Sequence, residues 1–162
     1  MQKIIILLLT LLPMTLFAQH NQPSDKHFWY SMETTAVPEK IWQVWADVPN
    51  WNQWDTGLQS AELSEKLALN ATGIITSLEG RKSKFRIVAF EEGKSYTFKT
   101  RLPLGALHVK RYLETKNGKT VFTHDVRFSG ITGGLFAKKF GPKFREMLPE
   151  VLKKINEIAG KK

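Results

Sequence analysis

The sequence predicts an α+β fold in which a curved antiparallel sheet is covered by a long C-terminal helix. A short helical pattern near the N-terminus is followed, from Leu58 to Ser129, by strand-like segments separated by turn residues. After Gly130 the apolar residues recur at helical spacing as far as Ile158. A sheet with one apolar concave face needs a cover, and the final helix is long enough to supply it.

The composition describes one globular domain. The chain has 162 residues, of which 42% are apolar and 24% are charged, and we assign residues 27–160 to a single unit. That length is enough to bury a core without cross-links. The chain contains no cysteine, which excludes disulfides, zinc-thiolate sites and thiol catalysis. The four histidines show no metal-binding spacing, so we predict no metal and no cofactor.

The N-terminus has the pattern of a secretory signal peptide over residues 1–18. Lys3 gives it a positive start, and the apolar run from Ile4 to Phe17 is shorter than the ~20 residues of a membrane-spanning helix. Cleavage after Ala18 would release an exported chain that is soluble in the periplasm or outside the cell. The alternative is a retained membrane anchor. Residues 19–26 are polar and are expected to form a flexible lead-in.

A strand and two short helices are predicted next. Phe28 to Thr35 is rich in aromatic, Ser and Thr residues, as strands are. Pro38 suits the first turn of a helix, where its missing N–H costs nothing. Pro49 ends that helix, and Asn50 to Trp54 forms one further short turn. The apolar face of the first helix consists of Ile41, Val44, Trp45 and Val48.

The last predicted element is a long amphipathic helix. Pro142 and Pro149 fall inside its pattern. Because an internal proline removes a backbone hydrogen bond, we expect an early break and then a kink. The apolar stripe of this helix consists of Phe136, Phe140, Phe144, Met147, Leu148, Val151, Leu152, Ile155 and Ile158.

The segments AVPEKIWQVWADVPNWNQWD and THDVRFSG, together with the final amphipathic helix, resemble the START-like, or SRPBCC, superfamily. They are most similar to its polyketide cyclase/dehydrase branch, and the resemblance covers nearly the whole chain after the signal peptide. It implies a helix-grip fold, in which a sheet wraps round the long C-terminal helix and leaves a hydrophobic cavity between them. Members bind lipids, sterols, polyketides or other apolar molecules, and only some are enzymes.

The strongest hairpin signal in the chain is Asn117-Gly118, because both residues tolerate positive φ. A turn there places Arg111 opposite His124. Side chains alternate along a strand, so this register also fixes which residues share their face. That face is otherwise apolar and the other is mainly polar, so the first is the inner face. Its apolar members are Leu107, Val109, Leu113, Phe122, Val126 and Phe128.

The two strands before this hairpin are placed by their own turns. A loop at 103–106 puts Phe98 opposite Arg111. It turns inward Tyr96, Phe98, Thr100 and Leu102. One strand earlier, two registers one residue apart remain open around Glu92-Gly93. They turn inward either Phe85, Ile87 and Ala89 or Arg86, Val88 and Phe90.

Arg111 and His124 form the one polar spot in this apolar wall. We predict that the pair holds the acidic or hydroxylated head of a ligand, with Arg111 as the anion donor and His124 neutral beside it. The alternative is that both are satisfied by backbone, water or Glu33. His124 and Asp125 cannot cooperate in catalysis, because neighbours in a strand point to opposite faces.

Four of the five tryptophans lie between Trp42 and Trp54. Trp45 shares the apolar face of the first helix and is predicted to be core, with Trp42 at the margin of that face. Trp51 and Trp54 are three residues apart on the second helix, where the resemblance places one end of the cavity. Structural packing is favoured for both, and ligand contact is the alternative.

The charge of the chain is strongly basic. The formal net charge is +9, and basic residues outnumber acidic ones from Phe136 onward. An exported protein rarely meets nucleic acid, so we predict no nucleic-acid partner. Weak contact between the basic C-terminal helix and an anionic membrane surface is the expected use, and a merely solvated helix face is the alternative. We expect a monomer.

Three functions remain compatible with the sequence. The preferred one is an exported binding protein for a hydrophobic or amphipathic small molecule such as a lipid, fatty acid or polyketide-like compound. The alternatives are a cyclase, dehydratase or hydrolase with His124 as acid/base, and a surface-associating protein without a cavity ligand. One histidine and one arginine are few polar groups for a catalytic site, which favours the binding function. The predicted ligand-binding residues are Arg111, His124, Trp51, Trp54, Tyr96, Phe98, Val109, Phe122 and Val126.

Overall fold

The computed structural model of the protein describes residues 19–161, and it confirms the predicted α+β architecture. Its eight strands form one antiparallel sheet that curls round the C-terminal helix, in the order β1-β2-β8-β7-β6-β5-β4-β3. The predicted signal peptide, residues 1–18, lies outside the described residues. The elements are β1 (Gln19–Ser24), β2 (His27–Thr34), α1 (Pro38–Ala46), a 3-10 helix (Val48–Gln53), β3 (Leu58–Leu63), β4 (Thr72–Ser77), β5 (Lys82–Glu91), β6 (Ser95–Leu102), β7 (Gly105–Lys116), β8 (Lys119–Gly130) and α2 (Gly133–Ala159).

The polar segment after residue 18 forms an edge strand instead of the expected flexible lead-in. β1 pairs antiparallel with β2, with His20 opposite Tyr30. An edge strand pairs on one side only and leaves its other backbone groups to water, which suits a polar sequence. The turn to β2 is made by Asp25 and Lys26.

The register of the central hairpin is confirmed, and that of the strand before it is corrected by two residues. Arg111 lies opposite His124 in the β7–β8 pair, and Asn117 and Gly118 form the turn with φ values of 52° and 77°. In the β6–β7 pair, however, Tyr96 and not Phe98 lies opposite Arg111. The loop is a two-residue turn at 103–104, shorter than predicted. A shift of two residues preserves the side-chain alternation, so the predicted inner face of β6 is unchanged.

A β-bulge in β5 explains why both registers looked possible there. Phe85 and Ile87 are buried on the inner face, as predicted by the register that turns Phe85, Ile87 and Ala89 inward. The pairing with β6 then shifts between Ile87 and Ala89, which leaves Ala89 exposed and turns Phe90 toward the core, opposite Tyr96. An extra residue at a bulge reverses the side-chain alternation beyond it. Each predicted register therefore holds for only one end of the strand.

Helix α2 is continuous from Gly133 to Ala159, so the predicted early break is wrong. Pro142 and Pro149 both lie inside the helix. Its second half is held by burial against the sheet and α1, which offsets the backbone hydrogen bonds lost at the prolines. The residues that bury this half are Leu148, Val151, Leu152, Ile155 and Ala159. The aromatic side chains of the first half are only half-buried.

The core is dominated by aromatic side chains that join the two short helices to the sheet. Trp45 is fully buried and makes edge-on contacts with Tyr96 and Phe122, with ring centroids 6.3 Å apart in each case. Trp51 is also fully buried, and its indole nitrogen donates to the Trp45 carbonyl oxygen over 2.9 Å. This bond fixes the 3-10 helix against α1. One end of the space between sheet and α2 is closed in this way.

Candidate ligand-binding cavity

A cavity of about 270 Å³ lies between the inner face of the sheet and helix α2. Its wall is apolar over most of its length, with Val109, Val126 and Phe128 from the sheet facing Phe144 and Val151 from the helix. Polar groups are concentrated at its two ends. The deep end, against the 3-10 helix, carries Arg111, His124 and Asp55, and the open end carries Ser77, Glu79, Arg81, Ser83 and Lys143.

Arg111 is the central polar residue of the deep end. It is only 2% exposed, and its Nη1 donates to the Tyr96 hydroxyl. The guanidinium carbon lies 4.3 Å from the centroid of the Trp51 ring and 4.6 Å from that of Trp54, so the cation is held between aromatic faces. Within the described part of the chain, its buried Nε has no hydrogen-bond partner. One donor of this buried cation is therefore free for a ligand.

Asp55 places a carboxyl group at the same end, and no sequence pattern predicts it there. It accepts a hydrogen bond from the Gly57 backbone N–H over 3.1 Å and lines the cavity. Burial raises the pKa of its carboxyl group above 3.8, and the charge of Arg111 counteracts part of that rise. Among residues 19–161, no carboxylate makes an ion pair with Arg111. Arg111 thus has a carboxyl group nearby but no direct anionic partner.

His124 is a neutral imidazole at pH 7. It is 2% exposed and lies between the rings of Trp45 and Trp54, with centroids 5.7 and 5.9 Å away. Burial lowers its pKa well below 6.5, and the neighbouring Arg111 charge lowers it further. Its buried Nε2 has no hydrogen-bond partner in the described residues. A neutral ring with a free nitrogen can accept or donate one hydrogen bond to a ligand head.

The predicted site residues separate into two groups. Arg111, His124, Trp51, Phe98, Val109 and Val126 all line the cavity. Trp54, Tyr96 and Phe122 do not line it: Trp54 and Tyr96 support the Arg111 side chain, and Phe122 packs against Trp45. Trp42 is half-buried and packs on Phe90, with ring centroids 5.8 Å apart.

The geometry excludes Glu33 as the partner of Arg111 and agrees with the prediction for His124 and Asp125. Glu33 lies on β2 and accepts a hydrogen bond from Lys119, so it is not the partner of Arg111. Asp125 points to the other side of the sheet from His124 and bonds His27 instead, with 2.9 Å between Oδ1 and the imidazole Nε2. As predicted, His124 and Asp125 do not form a catalytic pair.

A second apolar cleft, of about 320 Å³, lies outside the sheet between α1 and the end of β5. It is lined by Trp42 and Phe90, and its charged residues Glu65, Lys66 and Glu92 are all exposed. It therefore lacks a buried polar group that would orient a ligand. Across residues 19–161, no cluster of three or more His, Asp or Glu side chains is placed to hold a metal ion. None of the described helices is long and apolar enough to cross a membrane.

Comparison with known families agrees with this architecture. The sequence profile of the family described as polyketide cyclase/dehydrase and lipid transport matches residues 27–158. The chain belongs to this family. No curated protein matches it in sequence. The predicted superfamily is thereby confirmed, and the match spans every element from β2 to α2.

Solved structures share the fold at low sequence identity. A hypothetical protein from Helicobacter pylori superposes with a TM-score of 0.70 at 11% identity, over 90% of this chain and 99% of its own. A protein from Arthrobacter aurescens gives 0.64 at 16% identity, over 87% and 90%. Norcoclaurine synthase from Thalictrum flavum, solved with dopamine and hydroxybenzaldehyde, gives 0.63 at 13% identity, over 85% and 88%. These similarities show a common fold.

Proposed function

We propose that this chain is an exported binding protein for an amphipathic small molecule whose acidic head is held by Arg111. The observation that supports it is the state of Arg111 at the deep end of the apolar cavity. This residue is only 2% exposed, and its Nε has no hydrogen-bond partner among the described residues. A buried cation is costly unless it gains a partner. A charge-assisted hydrogen bond to a carboxylate head contributes about 1.5–3 kcal/mol.

The shape of the cavity sets the orientation and size of this ligand. With the head at Arg111, the tail runs along Val109 and Val126 toward Phe128 and Phe144 at the open end. The volume of about 270 Å³ lies at the small end of the ~300–1,000 Å³ usual for ligand pockets. It suits one acyl chain or a compact polyketide-like ring system better than a two-chain lipid.

Export and membrane contact belong to the same proposal. Export is supported by Lys3 and the apolar run Ile4 to Phe17, with cleavage after Ala18. The mature protein is proposed to act as a soluble monomer in the periplasm or outside the cell. Contact with an anionic membrane surface is supported by the exposed Lys138, Lys139 and Lys143 on the first half of α2.

Native mass spectrometry of protein purified from its own cell envelope tests this proposal. The expected spectrum shows a chain that begins at or near Gln19, together with a co-purifying molecule below the mass of a two-chain phospholipid. The matched control is the Arg111→Met variant purified in the same way, which should carry less of an acidic molecule. A wild-type chain that is empty and binds no added decanoate overturns the binding function. Intact Met1 on cytoplasmic protein overturns export.

A cavity enzyme remains the second candidate, and His124 is the observation that favours it. Its free Nε2 and low pKa make it a neutral base in the same cavity as Asp55, a carboxyl group whose pKa is raised. The two functions differ in what happens to a bound molecule. A binding protein releases its ligand unchanged, whereas an enzyme converts the ligand into a product. If the protein is an enzyme, the His124→Gln variant should form no product.

A further inference from the structure

Most of the large hydrophobic side chains that are strongly exposed gather at one end of the molecule. Leu78 is 61% exposed, Leu104 72%, Ile131 88% and Leu135 67%. We call these four residues the apolar rim. They lie in the β4–β5 turn, the β6–β7 turn, the β8–α2 junction and the first turn of α2. Scattered exposed leucines need no explanation, but a group in one place indicates an interaction surface.

Strand pairing brings these segments together. Phe85 pairs with Thr100, so the turn before β5 lies at the same end of the sheet as the turn after β6. Gly105 pairs with Gly130, which brings the start of β7 to the end of β8. The Ile131 backbone N–H donates to the Leu104 carbonyl oxygen over 3.0 Å, and the Thr132 hydroxyl donates to that of Pro103. These bonds fix the Leu104 and Ile131 segments of the rim against each other.

Leu104 occupies a position that favours other residues. Its φ is 52°, in the left-handed region where glycine and asparagine are preferred. Its side chain is also 72% exposed, so it gains little from burial within the chain. A leucine that is disfavoured by both its backbone and its exposure is best explained by burial against something outside the molecule.

Basic side chains surround the apolar rim. Arg81 is exposed in the β4–β5 turn, Lys82 and Arg101 are exposed on β5 and β6, and Lys138 and Lys139 are exposed on α2. Glu79 and Asp25 are acidic residues at this end: Glu79 is neutralised by Lys143 at 3.3 Å and by Arg81 at 3.9 Å, and Asp25 lies 3.8 Å from Arg145. A protruding aliphatic tip within a positive ring is complementary to the headgroup region of an anionic bilayer.

The rim also adjoins the open end of the cavity. Glu79, Arg81, Phe140 and Lys143 line that opening, and they lie next to the rim residues in the β4–β5 turn and on α2. Docking through the rim would place the cavity mouth against the lipid surface. A single-chain amphiphile could then pass between bilayer and cavity without crossing water.

We infer that the apolar rim and its basic ring form a docking surface for an anionic lipid bilayer, through which the cavity exchanges its ligand. The exchange rests on the proposed binding function, whereas the docking itself does not. The sequence alone suggests membrane contact along the whole basic C-terminal helix. In the proposed surface, Lys153 near the end of α2 and Lys161 just after the helix take no part.

Vesicle flotation with protein purified after expression of the full sequence tests this inference. Wild type should float with mixed phosphatidylglycerol–phosphatidylcholine vesicles and much less with phosphatidylcholine alone. Leu104→Asn should bind about tenfold more weakly. It should also unfold at the same or a higher temperature, because asparagine tolerates positive φ. The double variant Lys138→Gln/Lys139→Gln should lose about 30-fold.

The matched controls lie at the other end of the molecule. Leu69→Asn removes an equally apolar side chain that is 55% exposed, and Lys153→Gln/Lys161→Gln removes two exposed charges. Both should float like wild type. No flotation of wild type, or equal losses in rim and control variants, overturns the inference. All variants should bind decanoate in vesicle-free solution like wild type, so failure of the binding function would appear in that measurement alone.

Discussion

Arg111 is held on several sides without using all of its donors. Four aromatic rings surround its guanidinium within 5.5 Å, and the Tyr96 hydroxyl accepts from Nη1. Cation–π contacts of this kind contribute about 0.5–2 kcal/mol each when they are desolvated. They keep the charge stable in a buried place while Nε stays available. An aromatic cage of this kind preorganises an anion site because the arginine needs no rearrangement to bind.

The buried neutral His124 makes stability depend on pH. Its pKa is well below 6.5 in the folded state and about 6.5 in the unfolded state. As pH falls below about 6.5 the unfolded chain binds a proton that the folded chain does not, so stability is lost until the folded pKa is reached. The slope approaches about 1.4 kcal/mol per pH unit. Urea unfolding between pH 7.5 and the folded pKa should show this loss, and His124→Gln should remove it.

The comparison between the two chains isolates His124 from other titrating groups. His108 also has a lowered pKa, because of its burial and the charges of Lys99 and Arg127, and it contributes to both curves alike. Asp55 acts in the opposite direction, since its raised pKa adds stability as the carboxyl group becomes protonated, and it too contributes to both curves. Identical pH dependence in wild type and His124→Gln would show that His124 is not buried as a neutral ring.

At this scale the sequence predicted residues on strands well and residues on loops poorly. Arg111 and His124 were placed inside because side-chain alternation follows directly from one turn. Asp55 was missed because no periodicity governs the loop after the 3-10 helix. Its position directly after Trp54, in the segment expected to close the cavity, was the available signal.

Helix α2 offers a test at the level of the element. Pro142 lies inside the helix and its ring is exposed, so it removes a backbone hydrogen bond and packs against little. Pro142→Ala should raise the free energy of unfolding by about 1–2 kcal/mol. This is the cost of a proline inside a helix, reduced by the amount that proline stabilises the fold by restricting the unfolded chain. Chemical denaturation measures this.

Pro38→Ala is the matched control for that change. Pro38 is the first residue of α1, where its missing N–H has no helical partner and its fixed φ is favourable. The same substitution there should leave stability unchanged or lower it. If Pro142→Ala also leaves stability unchanged or lower, the helix is not strained at this proline.

The errors in element prediction have local physical causes. The β6–β7 turn was expected to be longer because a two-residue turn here requires positive φ at Leu104, which sequence rules disfavour. The β5 bulge could not be predicted because either register alone buries hydrophobic residues. The continuity of α2 depends on its packing against sheet and α1, and local propensity does not include such contacts.

The whole molecule has two chemically different ends. The deep end of the cavity holds a buried cation within aromatic rings, and the open end carries exposed aliphatic and basic residues. The sequence predicted the sheet, its helix and the inner wall, since these follow from periodicity and turns. Which end is open depends on how the β4–β5 turn and the first half of α2 meet. That arrangement is set by contacts between segments far apart in sequence.

Head-group discrimination by Arg111 tests the account most directly. Decanoate and decanol share a chain and differ in charge, and Trp51 and Trp54 beside Arg111 should report either one by fluorescence. Arg111→Met should weaken decanoate binding about 10- to 100-fold, because it removes one charge-assisted hydrogen bond to the carboxylate. Decanol should bind the variant as well as wild type or better, which also shows that the variant is folded. Equal losses for the two ligands, or no loss for decanoate, would contradict an acidic head at Arg111.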